Sequence, residues 1–82
     1  MPTVLRLKGL RVVIYPNDHR PEHVHVIGRG HEAVFELHCP FGPVELRENY
    51  GFPRRTVTQI EGTLAERLEG LCQAWKGIHG DA

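Results

Sequence analysis

The chain has 82 residues, a length that predicts one small domain over residues 1–82 with a modest hydrophobic core. Ten Lys and Arg residues balance ten Asp and Glu residues, so the overall charge does not favour nucleic acid, and a basic surface would have to be local. No apolar run approaches the roughly 18 residues of a membrane span, and no signal peptide is recognisable, which predicts a cytoplasmic protein without a membrane partner.

The chain begins with a predicted β-hairpin. Its strands are "TVLRL" (residues 3–7) and "LRVVIY" (residues 10–15), which are rich in aliphatic and β-branched residues. The connection Lys8-Gly9 has two residues, as in the tightest hairpin loops. This turn sets the register and places Arg6 opposite Arg11, on the face of the sheet away from the predicted core.

A second predicted hairpin follows. "HVHVI" (residues 23–27) alternates polar and apolar side chains, which is typical of a half-buried strand. A Gly-rich turn leads to the return strand "EAVFEL" (residues 32–37). If the valines of the first strand point into the core, His23 and His25 lie together on the opposite, open face, with His23 opposite Glu36.

The rest of the chain predicts an edge strand and a helix. "VELRE" (residues 44–48) is expected to add a short fifth strand. From residue 57 to residue 78, apolar side chains recur every three or four positions, which indicates one long helix, with a bend expected near Gly62 or Gly70. The predicted fold is therefore α+β: a small antiparallel sheet of four to five strands, built from hairpins, with one long C-terminal helix packed on one face.

The two cysteines give no sign of a disulfide framework. Cys39 and Cys72 are far apart in the chain, form no CxxC pair and have no further cysteines beside them. Small secreted domains usually carry several bridges, whereas thiols in the cytosol are kept reduced. We therefore expect two reduced thiols.

The densest group of titratable side chains lies in "NDHRPEHVHV", residues 17–26. Residues two apart on a strand have Cβ atoms about 6.5–7 Å apart on one side, so His23 and His25 can face the same ion. The expected third ligand is His19 or a carboxylate such as Asp18, Glu22 or Glu36. Imidazole and carboxylate groups suit zinc and other divalent metals such as nickel.

Two other chemistries fit the same segment. In the first, His23 and His25 act as general acid and base on a phosphodiester, and Arg20 or Arg11 steadies the phosphate. In the second, the open sheet face binds single-stranded nucleic acid or a protein partner without catalysis. The expected binding residues on and beside this face are Asp18, His19, Tyr15, Arg11 and Glu36.

The residues quoted so far also carry a family resemblance. "MPTVLRLKGLRVVIYPNDHRPEHVHV", followed by "EAVFEL" and "AWKGI", resembles the small bacterial domain-of-unknown-function 4160 family over nearly the whole chain. The most specific parts are "MPTVLR" and "NDHRPEHVHV", since members of the family typically carry His-Arg-Pro-Pro-His-Val-His. Glu22 stands where a second proline is common, and "HCPFGPVEL" is longer than the linker expected there.

The resemblance implies a genetic setting and a set of site residues. Genes of the family often lie beside a second small gene, in an arrangement similar to toxin–antitoxin pairs, which implies a small protein partner encoded nearby. Carried over to this chain, the motif points to Asp18, His19, Arg20, His23 and His25. The expected function is a toxin–antitoxin-like component that acts on RNA, another phosphodiester or a partner protein. The alternatives are a zinc or nickel module and a non-enzymatic regulator that binds RNA, DNA or a partner chain; a homodimer is compatible with each.

Overall fold

The structure, a computed structural model, describes residues 3–80 and has an α+β fold. Met1, Pro2, Asp81 and Ala82, which the predicted domain includes, lie outside the described residues. The elements are β1 (Thr3–Leu7), β2 (Leu10–Val13), β3 (His23–Gly28), β4 (His31–Glu36), β5 (Glu45–Tyr50), α1 (Arg54–Glu66) and α2 (Leu68–His79).

The five strands form one antiparallel meander. Their order in the sheet is β1-β2-β3-β4-β5, so each strand pairs with its neighbours along the chain. The register is the predicted one, with Arg6 opposite Arg11 and His23 opposite Glu36. The fifth strand, expected at residues 44–48, is present as β5 at the edge of the sheet.

The two hairpin turns at one end of the sheet depend on glycine. Arg29 and Gly30 connect β3 to β4 with positive φ angles of 54° and 77°, which suits the right-handed twist of the paired strands. Gly28 lies against the β1–β2 turn, where a Cβ atom would collide with the carbonyl oxygen of Gly9. Glycine at residue 28 therefore allows the two hairpins to approach each other closely.

The prediction of one long helix is wrong, because the helical region is divided at Arg67. This residue has φ −111° and ψ 15°, and the break lies at neither Gly62 nor Gly70. The Arg67 N–H still donates to the Thr63 carbonyl at 3.2 Å, and the Leu71 N–H donates to the Arg67 carbonyl at 3.0 Å. The apolar period therefore continues through the break and does not reveal it. Within residues 3–80, no helix has the length and apolar character needed to cross a lipid bilayer.

Buried side chains from strands and helices form one hydrophobic core. Alternate strand residues contribute, as predicted for Val24 and Val26, and the apolar helix positions join them. The helix residues of this cluster are Val57, Ile60, Leu64, Leu71 and Trp75. That the helices cover a single face of the sheet stays a prediction.

The prediction of two reduced thiols is also wrong. Cys39, which follows β4, forms a disulfide with Cys72 of α2, and their Cα atoms are 5.9 Å apart. This distance lies within the usual range of about 4.4–6.8 Å for bridged cysteines. The separation of 33 positions along the chain hides the pairing from the sequence, because only the packing of α2 beside the end of β4 brings the thiols together.

Candidate functional site

A tight turn after β2 positions the first site residue, Asp18. The Asp18 N–H donates to the Tyr15 carbonyl at 3.0 Å, and Pro16 occupies the second turn position, which its fixed φ favours. The Asp18 carboxylate accepts the Tyr15 N–H through Oδ2 at 2.9 Å. This bond holds the carboxylate in one orientation beside the beginning of β3.

The Asp18 carboxylate meets the two histidines of β3. Oδ1 of Asp18 is 3.3 Å from Nε2 of His25 and 3.6 Å from Nε2 of His23. The centroids of the two imidazole rings are 5.3 Å apart. One donor atom from each of the three residues lies within 4.8 Å of the others. The structure thus brings together three of the residues that the sequence singled out.

The second nitrogen of each histidine also faces an acceptor. Nδ1 of His23 is 2.8 Å from the Pro21 carbonyl oxygen, and Nδ1 of His25 is 3.2 Å from Oε2 of Glu32. A neutral imidazole carries only one N–H, so it can donate to only one of its two acceptors. If Nδ1 donates, the lone pair of Nε2 points toward the Asp18 oxygen. A second proton or a cation is then needed to make the contact favourable.

The spacing of the three donor atoms suits a metal ion. Zinc binds nitrogen and oxygen at about 2.0–2.1 Å, so two adjacent ligands of a tetrahedral site are about 3.3–3.4 Å apart. The two distances from Asp18 Oδ1 are 3.3 and 3.6 Å. Three protein ligands also leave a fourth position for water or substrate.

This cluster is largely withdrawn from solvent, which corrects the predicted open face. The exposed fraction of the side chain is 13% for Asp18, 8% for His23 and 16% for His25. His25 lies between Val13 and Val34 in the sheet register, and both valines are buried. Interactions between charged groups are stronger in such an environment than at an open surface.

Aromatic rings flank the cluster on both sides. Tyr15 lies edge-on to His25 with ring centroids 4.9 Å apart, and Trp75 of α2 lies 5.4 Å from His23. His79 stacks on Trp75 at 4.0 Å. Helix α2 thus supplies one wall of the cluster and explains the burial of His23.

Two residues proposed from the sequence lie elsewhere. His19 is exposed and is not among the donors that converge. Arg20 forms an ion pair with Glu22, the residue that replaces the common second proline. The predicted roles of His19 as a ligand and Arg20 as a phosphate contact therefore stay predictions.

The remaining predicted binding residues belong to other parts of the sheet. Arg11 lies opposite Ile27 of β3, on the face that carries His25 but nearer the hairpin turns. Glu36 contacts His38, whose Nε2 is 3.6 Å from Glu36 and 2.9 Å from Glu45. This second, more exposed group shares no residue with the Asp18 cluster.

Sequence reasoning missed two neighbours of the cluster. Glu32 could have been predicted from the register. Val34 lies opposite His25, and Glu32, two positions from Val34 on the same strand, is therefore a diagonal neighbour of His25. Trp75 was recognised only as part of the apolar helix pattern. Its contact with His23 depends on the path of α2, which no local signal indicates.

The chain matches a known protein family. The sequence model of a family described as "Domain of unknown function (DUF4160)" matches residues 9–76. Searches of the curated proteins and of the solved structures find no match. The matched range includes Asp18, His23, His25, Glu32 and Trp75, so the whole cluster lies within the family domain.

Proposed function

We propose that this chain, which belongs to the DUF4160 family, binds a divalent transition metal through Asp18, His23 and His25. The observation that carries the proposal is the convergence of one carboxylate oxygen and two Nε2 atoms within 4.8 Å. Each imidazole has an acceptor at Nδ1, and a ring that donates there turns the lone pair of Nε2 toward Asp18, a contact that needs a positive charge between the two. A metal ion supplies that charge and satisfies all three donors.

The ligand types favour zinc or a similar transition metal. Calcium and magnesium prefer oxygen ligands, whereas two imidazoles with one carboxylate suit zinc, nickel and iron(II). The Pro21 carbonyl and Glu32 act as outer partners that orient the histidines, as carbonyls and carboxylates do at established metal sites. The spacing near 3.3 Å favours a tetrahedral ion. Zinc is therefore the ion to test first.

Three protein ligands are typical of reactive rather than purely structural zinc sites. At such a site the metal lowers the pKa of a bound water to about 7 and polarises a substrate oxygen. The wider role implied by the family resemblance is a toxin–antitoxin-like component that acts on RNA or a partner protein. That role rests on the gene arrangement that the resemblance implies. The metal proposal does not depend on it.

The test is zinc binding by untagged protein purified without chelator. We expect one zinc per chain by elemental analysis, and calorimetric titration of the metal-free protein should give the same stoichiometry. Asp18→Asn and His25→Ala should each weaken binding by at least about 100-fold, since loss of outer partners alone costs about 10–100-fold. At a free zinc concentration of about 100 times Kd, binding should add about 2.7 kcal/mol to the free energy of unfolding.

His19→Ala is the matched control, because His19 belongs to the same loop but not to the converging set. This variant should bind zinc as the unaltered protein does. Equal loss in His19→Ala and His25→Ala would contradict the proposed ligand set. Absence of zinc, nickel and iron binding in the unaltered protein would reduce the cluster to an ion-pair network.

A further inference from the structure

The two hairpin turns form a compact end of the sheet, away from the beginning of β3. The Arg29 guanidinium donates to the Lys8 carbonyl at 3.2 Å and lies over Gly9. This contact ties the β3–β4 turn to the β1–β2 turn. It also holds one arginine in place, with further N–H groups left to donate.

This end of the sheet concentrates positive charge. Two grooves flank the β1–β2 hairpin and share Arg6; Lys8 and Arg29 line one groove, and Arg11 lines the other. We call Arg6, Lys8, Arg11 and Arg29 the basic end. Among the described residues that line these grooves there is no Asp or Glu. Because the whole chain has no net charge, this is a local separation of charge.

Repulsion between like charges in the basic end destabilises the sheet. Arg6 and Arg11 lie directly opposite each other on β1 and β2, and like charges in that position destabilise a sheet. As far as residues 3–80 show, neither of them, nor Lys8 or Arg29, has a carboxylate partner in an ion pair. An anionic ligand between them would remove the repulsion.

We propose that the basic end binds the phosphate backbone of a nucleic acid. Three of its four cations are arginines, whose planar groups match phosphate oxygens in pairs of hydrogen bonds. Thr56 and Gln59 of α1 line the groove that contains Lys8 and Arg29, and they add uncharged hydrogen-bonding groups. The grooves have no aromatic side chain for base stacking among their described residues. Contacts to the backbone, with little dependence on base sequence, follow from this composition.

The site is separate from the Asp18 cluster but shares its strands. Arg11 pairs with Ile27, and His25 pairs with Val13, so the two sites lie two residue positions apart along the same pair of strands. Residues two apart on a strand are separated by about 7 Å. The inference does not rest on metal binding, since no residue of the basic end belongs to the cluster.

The test measures binding of a short fluorescein-labelled single-stranded RNA by anisotropy across a range of salt concentrations. Four phosphate contacts predict a slope of log K against log salt of about −2.8, which is roughly a 50-fold loss between about 50 and 200 mM. The double variant Arg6→Gln, Arg11→Gln should have a slope of about −1.4 and lose only about sevenfold over the same range. Removing two opposed cations should leave its melting temperature equal or higher.

Arg47→Gln, Arg55→Gln is the charge-matched control, because it removes two exposed arginines outside both grooves. It should keep the salt slope of the unaltered protein. The same reduced slope in the control would show a net-charge effect and overturn the site. No RNA binding at low salt would also overturn it. Equal binding of poly-glutamate at matched charge would point to an acidic protein partner instead.

Discussion

At the scale of single residues, Glu32 contacts the ring nitrogen of His25 that faces away from Asp18. Its Oε2 lies 3.2 Å from Nδ1 of His25, and when Nδ1 donates to it, the Nε2 lone pair is free to bind a metal beside Asp18. In Glu32→Gln the amide can turn its NH₂ group toward Nδ1 and favour the other tautomer. We expect zinc affinity to fall about tenfold, as for other outer partners of metal-bound histidine.

Calorimetric titration of metal-free Glu32→Gln measures this change. Glu66→Gln serves as the control. It also removes one carboxylate, but at an exposed position at the end of α1, far along the chain from His25. Equal affinity in Glu32→Gln and the unaltered protein would mean that Glu32 does not orient His25.

Tyr50 illustrates how one contact changes a side chain at the surface. Its hydroxyl donates to Glu48 at 3.0 Å, and this hydrogen bond, together with the negative charge of Glu48, raises the pKa of Tyr50 above 10.0. Glu48→Gln should therefore lower the pKa of Tyr50. Ultraviolet titration of the phenolate in a Tyr15→Phe background, where Tyr50 is the only tyrosine, measures it.

The hydrogen bond between Tyr50 and Glu48 also makes the stability of the fold depend on pH. Because the pKa is higher in the folded chain, the contribution of this bond is complete below the unfolded value near 10 and is lost as pH rises through the folded value. An unchanged pKa in Glu48→Gln would contradict the assigned cause.

Part of the candidate site could be predicted residue by residue. The alternation of β3 correctly placed His23 and His25 side by side, and the motif included Asp18. The selection of Asp18 over His19 depends on the turn that bonds Asp18 to Tyr15, which spacing alone does not specify. The burial of His23 depends on Trp75, and no local pattern connects two residues so distant in the chain.

At the scale of elements, the disulfide is the covalent link between the end of the sheet and α2. It closes a loop between residues 33 apart, and a loop of this length restricts the unfolded chain by roughly 3–4 kcal/mol. The variant Cys39→Ser, Cys72→Ser should lose about that much free energy of unfolding. Urea unfolding of the oxidised protein and of the variant gives the difference.

Reduced protein of the original sequence is the control for the two serine substitutions. It should unfold at the same urea concentration as the double variant. Coincident midpoints for the oxidised protein and the variant would show that the link does not stabilise the fold.

The elements differ in how far the sequence reveals them. Both hairpins have local signals, namely period-two alternation and two-residue turns with glycine, and their registers were predicted correctly. The division at Arg67 has no such signal, because the flanking hydrogen bonds keep the apolar positions in phase. The disulfide is equally hidden, since it depends on how α2 packs rather than on cysteine spacing.

At the scale of the whole molecule, a net charge of zero conceals an uneven distribution. The basic end gathers four cations at the hairpin turns, while the carboxylate of Asp18 lies beside His23 and His25, nearer the beginning of β3. Composition suggested no preference for nucleic acid and required any basic surface to be local. The order of the strands gathers the basic side chains in one place, because it puts the two hairpin turns side by side.

The meander also has a consequence for how the chain folds. Every strand pairs with a neighbour in sequence, so the sheet consists mainly of contacts between residues close along the chain. Chains with such local contacts fold faster than those whose strands must pair across long separations. Asp18, His23, His25 and Glu32 all lie within residues 18–32, one loop and one hairpin. We therefore expect the ligands to come together early, and α2 to cover them only when the C-terminal part of the chain docks.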